Sequence, residues 1–144
     1  MNKKKKEINS FEDLEVWQVG RTIRKDIFEL VKKFPDLEKY RLIDQMIRSS
    51  RSICDNISEG YGRFHYQENI QFCRVSRGSA YELINHLLTA YDCLYISDTE
   101  LNDYRKRITR CIRLINGYIG YLHRAKSASS TSEEPISYTP NYTQ

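Results

Sequence analysis

Residues 97–126 read SDTELNDYRKRITRCIRLINGYIGYLHRAK, and they carry the clearest helical signal in the chain. Ser97 is followed three residues later by Glu100, which matches the capping box that begins many helices. After it, apolar residues recur at steps of three and four, the spacing of one helix face. The apolar positions are Leu101, Tyr104, Ile108, Cys111, Ile112, Ile115, Ile119 and Leu122. This pattern predicts one long amphipathic helix.

Three earlier segments show the same period. Pro35 closes the first segment, because proline cannot continue the helical hydrogen-bond ladder. The second stops at the sequence EGYG, where we expect Gly60 and Gly62 to end the helix in left-handed backbone angles. The apolar positions are Val16, Val19, Ile23, Ile27, Leu30 and Phe34 in the first; Ile43, Met46, Ile47, Ser50, Ile53, Cys54 and Ile57 in the second; and Ile70, Cys73, Ala80, Leu83, Ile84, Leu87, Tyr91 and Leu94 in the third.

Four such segments with short connections predict an all-α fold, an antiparallel up-and-down four-helix bundle over residues 10–126. No run alternates like a β-strand. Residues 1–9 are predicted to be a disordered basic arm. From Ser127 the sequence turns rich in Ser, Thr and Pro, so residues 127–144 are predicted to be a disordered tail.

Composition is that of a soluble globular domain: 40% of the 144 residues are hydrophobic and 29% are charged. No uncharged apolar run reaches the length of a membrane span. The N-terminal sequence MNKKKKEINS lacks the apolar region of a secretory signal. We therefore expect a cytoplasmic protein without membrane association.

Nothing in the sequence indicates catalysis, a metal or a cofactor. The three histidines, His65, His86 and His123, lie on different segments and not at metal-ligand spacing. Cys54, Cys73 and Cys111 fall on apolar faces, where we interpret them as small buried hydrophobes. No cofactor is predicted, and the chain is not expected to be an enzyme.

Positive charge is concentrated in the last helix, where residues 101–126 hold seven basic residues and one acidic residue. On a helical wheel Lys106, Arg110, Arg113 and Arg124 point about 180° from the apolar positions. We call these four residues the basic ridge. Gly117 and Gly120 share its line and leave room for another backbone. The basic ridge predicts phosphate binding; the alternative is a solvated helix face whose late arginines suit the helix dipole.

A second line, on helix one, lies about 100° from its apolar positions. Aromatic and Arg residues of this kind are enriched in interfaces between subunits. The alternative is that both rings extend the bundle core at its edge. The residues are Trp17, Arg21, Arg24 and Phe28.

Arg77 falls near the middle of the apolar face of helix three, where an unpaired charge is costly. We predict that it pairs with a carboxylate, with Glu82 and Glu59 as candidates; a ligand-binding role is the alternative. A block after helix two is interpreted as a structural turn. It consists of Asn56, Glu59, Gly60, Gly62 and Arg63.

Three blocks of the sequence resemble a known family: SFEDLEVWQ at 10–18, SICDNISEGYGR at 52–63 and RGSAYEL at 77–83. They are similar to segments of the bacterial 23S rRNA intervening-sequence proteins and occur in the same order. In the second block Cys54, Asp55 and Ser58 replace the Pro, Ser and Ala that are usual in the family. The resemblance covers residues 10–126.

The resemblance implies a four-helix bundle that assembles as a ring-like homopentamer, without established catalytic activity. It also implies a distant likeness to accessory bundles that bind nucleic acid and a reverse transcriptase. The leading hypothesis is therefore a non-enzymatic homo-oligomer that binds RNA or DNA through its basic surface. The alternative is a scaffold or adaptor for a protein partner such as a reverse transcriptase, with nucleic-acid contact incidental.

Overall fold

The computed structural model describes residues 6–129 and 137–140, and its regular elements are helices. Each helix packs against its neighbours in sequence, and the last returns to the first, which closes the bundle. The contact between the second and third helices is the most extensive. The all-α four-helix bundle predicted from the sequence is confirmed. Its helices are α1 (Glu15–Leu30), α2 (Leu42–Tyr61), α3 (Tyr66–Asp92) and α4 (Asp98–Ala128).

Neighbouring helices run antiparallel. Lys126, near the end of α4, donates a hydrogen bond to Gln67 at the start of α3, with 2.8 Å between Nζ and Oε1. The turns that join α2 to α3 and α3 to α4 are short, as antiparallel neighbours require. The longer α1–α2 connection contains two 3-10 turns, Val31–Lys33 and Asp36–Glu38, on either side of Pro35.

The start of α4 is fixed by the predicted capping box. The Ser97 hydroxyl accepts from the backbone N–H of Glu100 at 3.1 Å, and the Glu100 carboxylate accepts from the N–H of Ser97 at 3.1 Å. The same carboxylate also accepts a hydrogen bond from Lys33, beyond the end of α1. That bond, followed by the cap, lowers the pKa of Glu100 below its usual value. One side chain therefore serves both the local start of α4 and its tie to the first part of the chain.

The apolar face predicted for α4 is buried at all eight positions. Most of the other predicted positions are buried or half-buried. Leu94 is the exception: it is 88% exposed, with a backbone φ of 63°. The prediction that it continues the α3 stripe is wrong, because α3 ends at Asp92 and Leu94 lies in the turn to α4.

Gly60 and Gly62 end α2 in a different way from the one predicted. Gly62 caps the helix with a right-handed φ of −73°, so the left-handed angle is wrong. Gly60 lies inside the helix, where α3 comes close. A β-carbon at this position would lie 2.7 Å from Asn69 Oδ1 and 2.9 Å from Phe72 Cβ. The glycine is needed for the close approach of two helices.

A few polar groups cross the core and set the helices against each other. Asn69 of α3 donates to the hydroxyl of Tyr118 on α4, with 3.1 Å between Nδ2 and Oη. Burial is the main cause that raises the pKa of Tyr118 above its usual value. The Ser76 hydroxyl donates to the carbonyl of Ile53 on α2 at 2.7 Å. These bonds satisfy polar groups that would otherwise be costly to bury.

The ends of the bundle extend slightly beyond the predicted range of 10–126. Helix α4 continues to Ala128, Ile8 is buried, and Tyr138 is only 9% exposed. Residues 1–5, 130–136 and 141–144 lie outside the described residues, and the predicted disorder of the two termini stays a prediction there.

Replacing Gly60 with Ala should lower the free energy of unfolding by about 1–3 kcal/mol, because the new methyl group overpacks the α2–α3 contact. Gly78→Ala is the matched control: nothing lies within 4 Å of its β-carbon position in mid-helix α3. It should raise stability by about 0.5–1 kcal/mol through helix propensity. Urea denaturation measures both, and equal effects would contradict the close approach.

Candidate nucleic-acid interface

The basic ridge lies on the outward side of α4, and all four of its side chains are exposed. Ile108 and Ile115, on the opposite side of the helix, are fully buried. The rotation of α4 that the sequence predicted therefore holds. The four cations do not have the same surroundings, however.

Arg110 is engaged by another helix. Its Nη2 lies 2.8 Å from Oε1 of Glu15, at the start of α1, and its positive charge is balanced by that carboxylate. Arg107, one turn earlier, forms salt bridges with Asp26 of α1 and Asp103 of α4. These pairs join α1 to α4, and they neutralise positive charge along the contact between the two helices.

Lys106 and Arg113 share one shallow groove along the outer face of α4. Arg105 also lines it, and sequence reasoning missed this residue because it lies about 100° from Lys106 on a helical wheel. In the part of the chain that the structure describes, no carboxylate forms a salt bridge with any of these three cations. The groove lining is Thr99, Asn102, Asp103, Arg105, Lys106, Thr109 and Arg113.

The end of the basic ridge is partly covered. Arg124 lies near Gly120, since its Nη1 would be 3.3 Å from a β-carbon there. Gly117 was predicted to admit another backbone; it is instead faced by the side chain of Tyr138. The structure therefore separates Lys106 and Arg113, which share a groove, from Arg110 and Arg124, which do not line it.

The second predicted line, on α1, also divides into two parts. Trp17 is half-buried, with its ring 5.3 Å from that of Phe11 in an edge-on contact, and Arg21 lies over the Trp17 ring. Phe28 is 46% exposed. It borders a groove between α1 and α2, lined by Arg24, Lys25, Phe28, Ile47, Ser50 and Arg51. Trp17 thus packs at the edge of the core, whereas Phe28 borders an open groove.

The predicted carboxylate partner of Arg77 is wrong. Arg77 Nη1 donates to Asn116 Oδ1 on α4 at 2.8 Å. The two candidate acids are engaged elsewhere, Glu82 with His86 and Glu59 with Arg63. The long side chain of Arg77 reaches the edge of the bundle, where the amide of Asn116 takes the place of the expected carboxylate.

The block that the sequence placed after helix two lies mostly inside α2: Asn56, Glu59 and Gly60 belong to the helix, Gly62 caps it and Arg63 follows. Asn56 donates to the carbonyl of Ser52 one turn earlier, with Nδ2 at 2.8 Å. The Glu59–Arg63 pair spans the end of the helix at 2.7 Å.

Cys54, Cys73 and Cys111 are buried, as the sequence predicted, and Cys93 is exposed. Burial raises the pKa of the Cys54 thiol to about 11 and that of Cys73 and Cys111 to about 12. Within the described residues, no group of three His, Cys, Asp or Glu side chains is arranged to hold a metal ion. Among the same residues, no helix has the length and apolar character needed to cross a membrane.

Alkylation of the native protein with iodoacetamide at about pH 8 should label Cys93 and leave the three buried cysteines unmodified, because only an accessible thiolate reacts. In denaturant all four cysteines should react. Peptide mass spectrometry reads each site. Rapid native labelling of Cys54, Cys73 or Cys111 would contradict the packing described above.

The chain matches a known protein family. The model of a family described as 23S rRNA-intervening sequence protein matches residues 12–117, which include α1 to α3 and most of α4. Comparison with curated proteins gave no significant match.

Proposed function

We propose that this chain, which belongs to the 23S rRNA-intervening sequence protein family, is a non-enzymatic homo-oligomer that binds RNA or DNA. The observation that carries the proposal is the groove on α4, where Arg105, Lys106 and Arg113 stand together with exposed side chains. Asp103 is the one acid that lines this groove, and it lies 3.7 Å from Arg107.

Cations arranged along one helix suit a phosphate backbone. Each Lys or Arg that neutralises a phosphate releases condensed counterions, and this release favours association at low salt. Phosphate contacts position a nucleic acid without reading its bases. We therefore expect binding that depends strongly on salt and weakly on sequence. In a homo-oligomer each copy would repeat the groove, and modest affinities would add through avidity.

The variant Lys106→Glu/Arg113→Glu should weaken binding to single-stranded RNA and flatten the dependence of log K on log salt by about 1.4 per subunit, since about two phosphate contacts are lost. Electrophoretic shifts at several salt concentrations measure both quantities. Circular dichroism should show unchanged helicity, because both side chains are exposed. Arg110 is left unaltered because its bond to Glu15 ties α4 to α1.

The matched control is Arg48→Glu/Arg74→Glu, which makes the same change in net charge. Both residues are exposed, on α2 and α3, and neither forms a salt bridge among the described residues. Equal loss in both variants would show that only net charge matters, and unchanged binding in the α4 variant would remove the groove from the proposal. Retention of a protein partner after nuclease treatment would then favour the adaptor hypothesis.

The subunit contact is proposed at the groove between α1 and α2, and a pentamer is what the family resemblance implies. Phe28→Glu should give a smaller species by light scattering, because a charge at an aromatic anchor opposes burial. Tyr40→Glu is the control, since Tyr40 is 84% exposed and lies between α1 and α2. An unchanged mass for Phe28→Glu would contradict this contact. Trp17 is unsuitable because its half-buried ring packs on Phe11.

A further inference from the structure

The segment 137–140 lies against α4, the helix that ends at Ala128. Tyr138 is its anchor, with only 9% of the residue exposed. Its ring centroid lies 5.6 Å from that of Tyr118 and 5.4 Å from that of Tyr121, tilted against both. The backbone N–H of Ser137 donates to the hydroxyl of Tyr121 at 3.0 Å.

Gly117 lies directly beneath the Tyr138 side chain. A β-carbon at residue 117 would lie 2.6 Å from the hydroxyl oxygen of Tyr138, closer than two such atoms can approach. Any larger residue at this position would therefore displace the Tyr138 side chain. Tyr118 is held from the other side by its hydrogen bond with Asn69. A rigid helix thus supplies a notch with two aromatic walls and a glycine floor, shaped for one phenol ring.

The notch lies within the basic ridge. Arg113, Gly117, Gly120 and Arg124 follow one another at steps of four, three and four, which places them on one face of α4. A segment seated on Gly117 consequently covers the surface between the two arginines. The Tyr138 side chain stands where a nucleic-acid strand following the basic ridge would pass.

We propose that Gly117, Tyr118 and Tyr121 form a binding site for a tyrosine side chain, whose occupant is Tyr138 of the same chain. Occupation holds the segment 137–140 across the basic ridge, and release exposes the full ridge. That the segment thereby competes with RNA rests on the function proposed above; the tyrosine site itself does not.

The contact is suited to opening and closing. The segment packs on the outer face of α4, and opening it leaves the core of the bundle buried, so its local stability is below that of the bundle. RNA binds the full ridge only in molecules from which the segment is released. The apparent affinity for RNA is therefore the intrinsic affinity multiplied by the released fraction. The same equilibrium sets the access of a protease to the bond after Tyr138.

Gly117→Ala tests the site while keeping α4 helical. If the seated state is favoured about tenfold in the parent, chymotrypsin should cut after Tyr138 roughly tenfold faster in this variant. Mass spectrometry of early time points measures the cleavage rate. Gly120→Ala is the control on the same helix. Its β-carbon meets only the flexible guanidinium of Arg124, so the notch and the cleavage rate should stay unchanged.

Thermal unfolding gives a second readout. Gly78→Ala and Gly120→Ala should each raise Tm by roughly 2–4 °C through helix propensity. Gly117→Ala should raise it by less, because the same methyl group removes the Tyr138 contact. Equal cleavage rates together with equal Tm gains for Gly117→Ala and Gly120→Ala would overturn the tyrosine site.

RNA affinity then separates the two proposals. Gly117→Ala and Tyr138→Ser should both bind RNA more tightly, by the same factor as the gain in cleavage rate for Gly117→Ala. Faster cleavage with unchanged affinity would overturn the competition and leave the tyrosine site standing. If Lys106→Glu/Arg113→Glu also binds RNA as the parent does, the failure lies with the proposed function.

Discussion

Burial of the apolar face of α4 fixes the rotation of this helix about its axis, and the character of the outer surface follows from it. Ile108 and Ile115 are fully buried, and Lys106 and Arg113 project to the opposite side. Removing an isoleucine side chain from water contributes about 1.5–3 kcal/mol. An exposed ion pair contributes at most about 1 kcal/mol. Apolar burial therefore places the cations, and the ion pairs adjust to that placement.

One apolar core joins all four helices, but the contacts added at its two sides differ. Between α2 and α3, Gly60 permits direct helix contact and the hydroxyls of Ser52 and Ser79 lie 2.7 Å apart. Between α1 and α4, exposed ion pairs such as Arg110–Glu15 bridge a groove. Such pairs add little stability, but they take cations away from the outer surface. Among the described residues, the α4 cations that share a groove without a salt bridge are consequently found away from α1, at Arg105, Lys106 and Arg113.

Helical periodicity was enough to predict the fold and the exposure of the basic ridge, because both depend on short-range spacing within one helix. The partner of Arg110 could not be predicted, since Glu15 is 95 residues away in the chain.

The predicted partner of Arg77 was wrong for a related reason. The wheel placed its α-carbon near the apolar face, but the neighbouring Ser76 takes the buried position and Arg77 reaches outward to Asn116. The sequence analysis expected Gly60 to end the helix. In the structure a glycine is needed there because α3 lies so close. Composition predicted a disordered tail, and an average over Ser, Thr and Pro carries no information about the single contact of Tyr138 with α4.

Because the Glu100 carboxylate makes two structural contacts, lowering the pH affects both. Its carboxylate caps α4 and accepts from Lys33, and its pKa is lowered in the folded chain, chiefly by the bond from Lys33. A carboxylate with a lowered pKa contributes its full stabilisation above the ordinary value of 4.5 and loses it as the pH falls through the folded value. Protonation removes the negative charge of the carboxylate and so weakens both bonds together. The first turn of α4 and its tie to the end of α1 are therefore weakened in a single step, and acidification couples the fraying of one helix to the loosening of the bundle at that end.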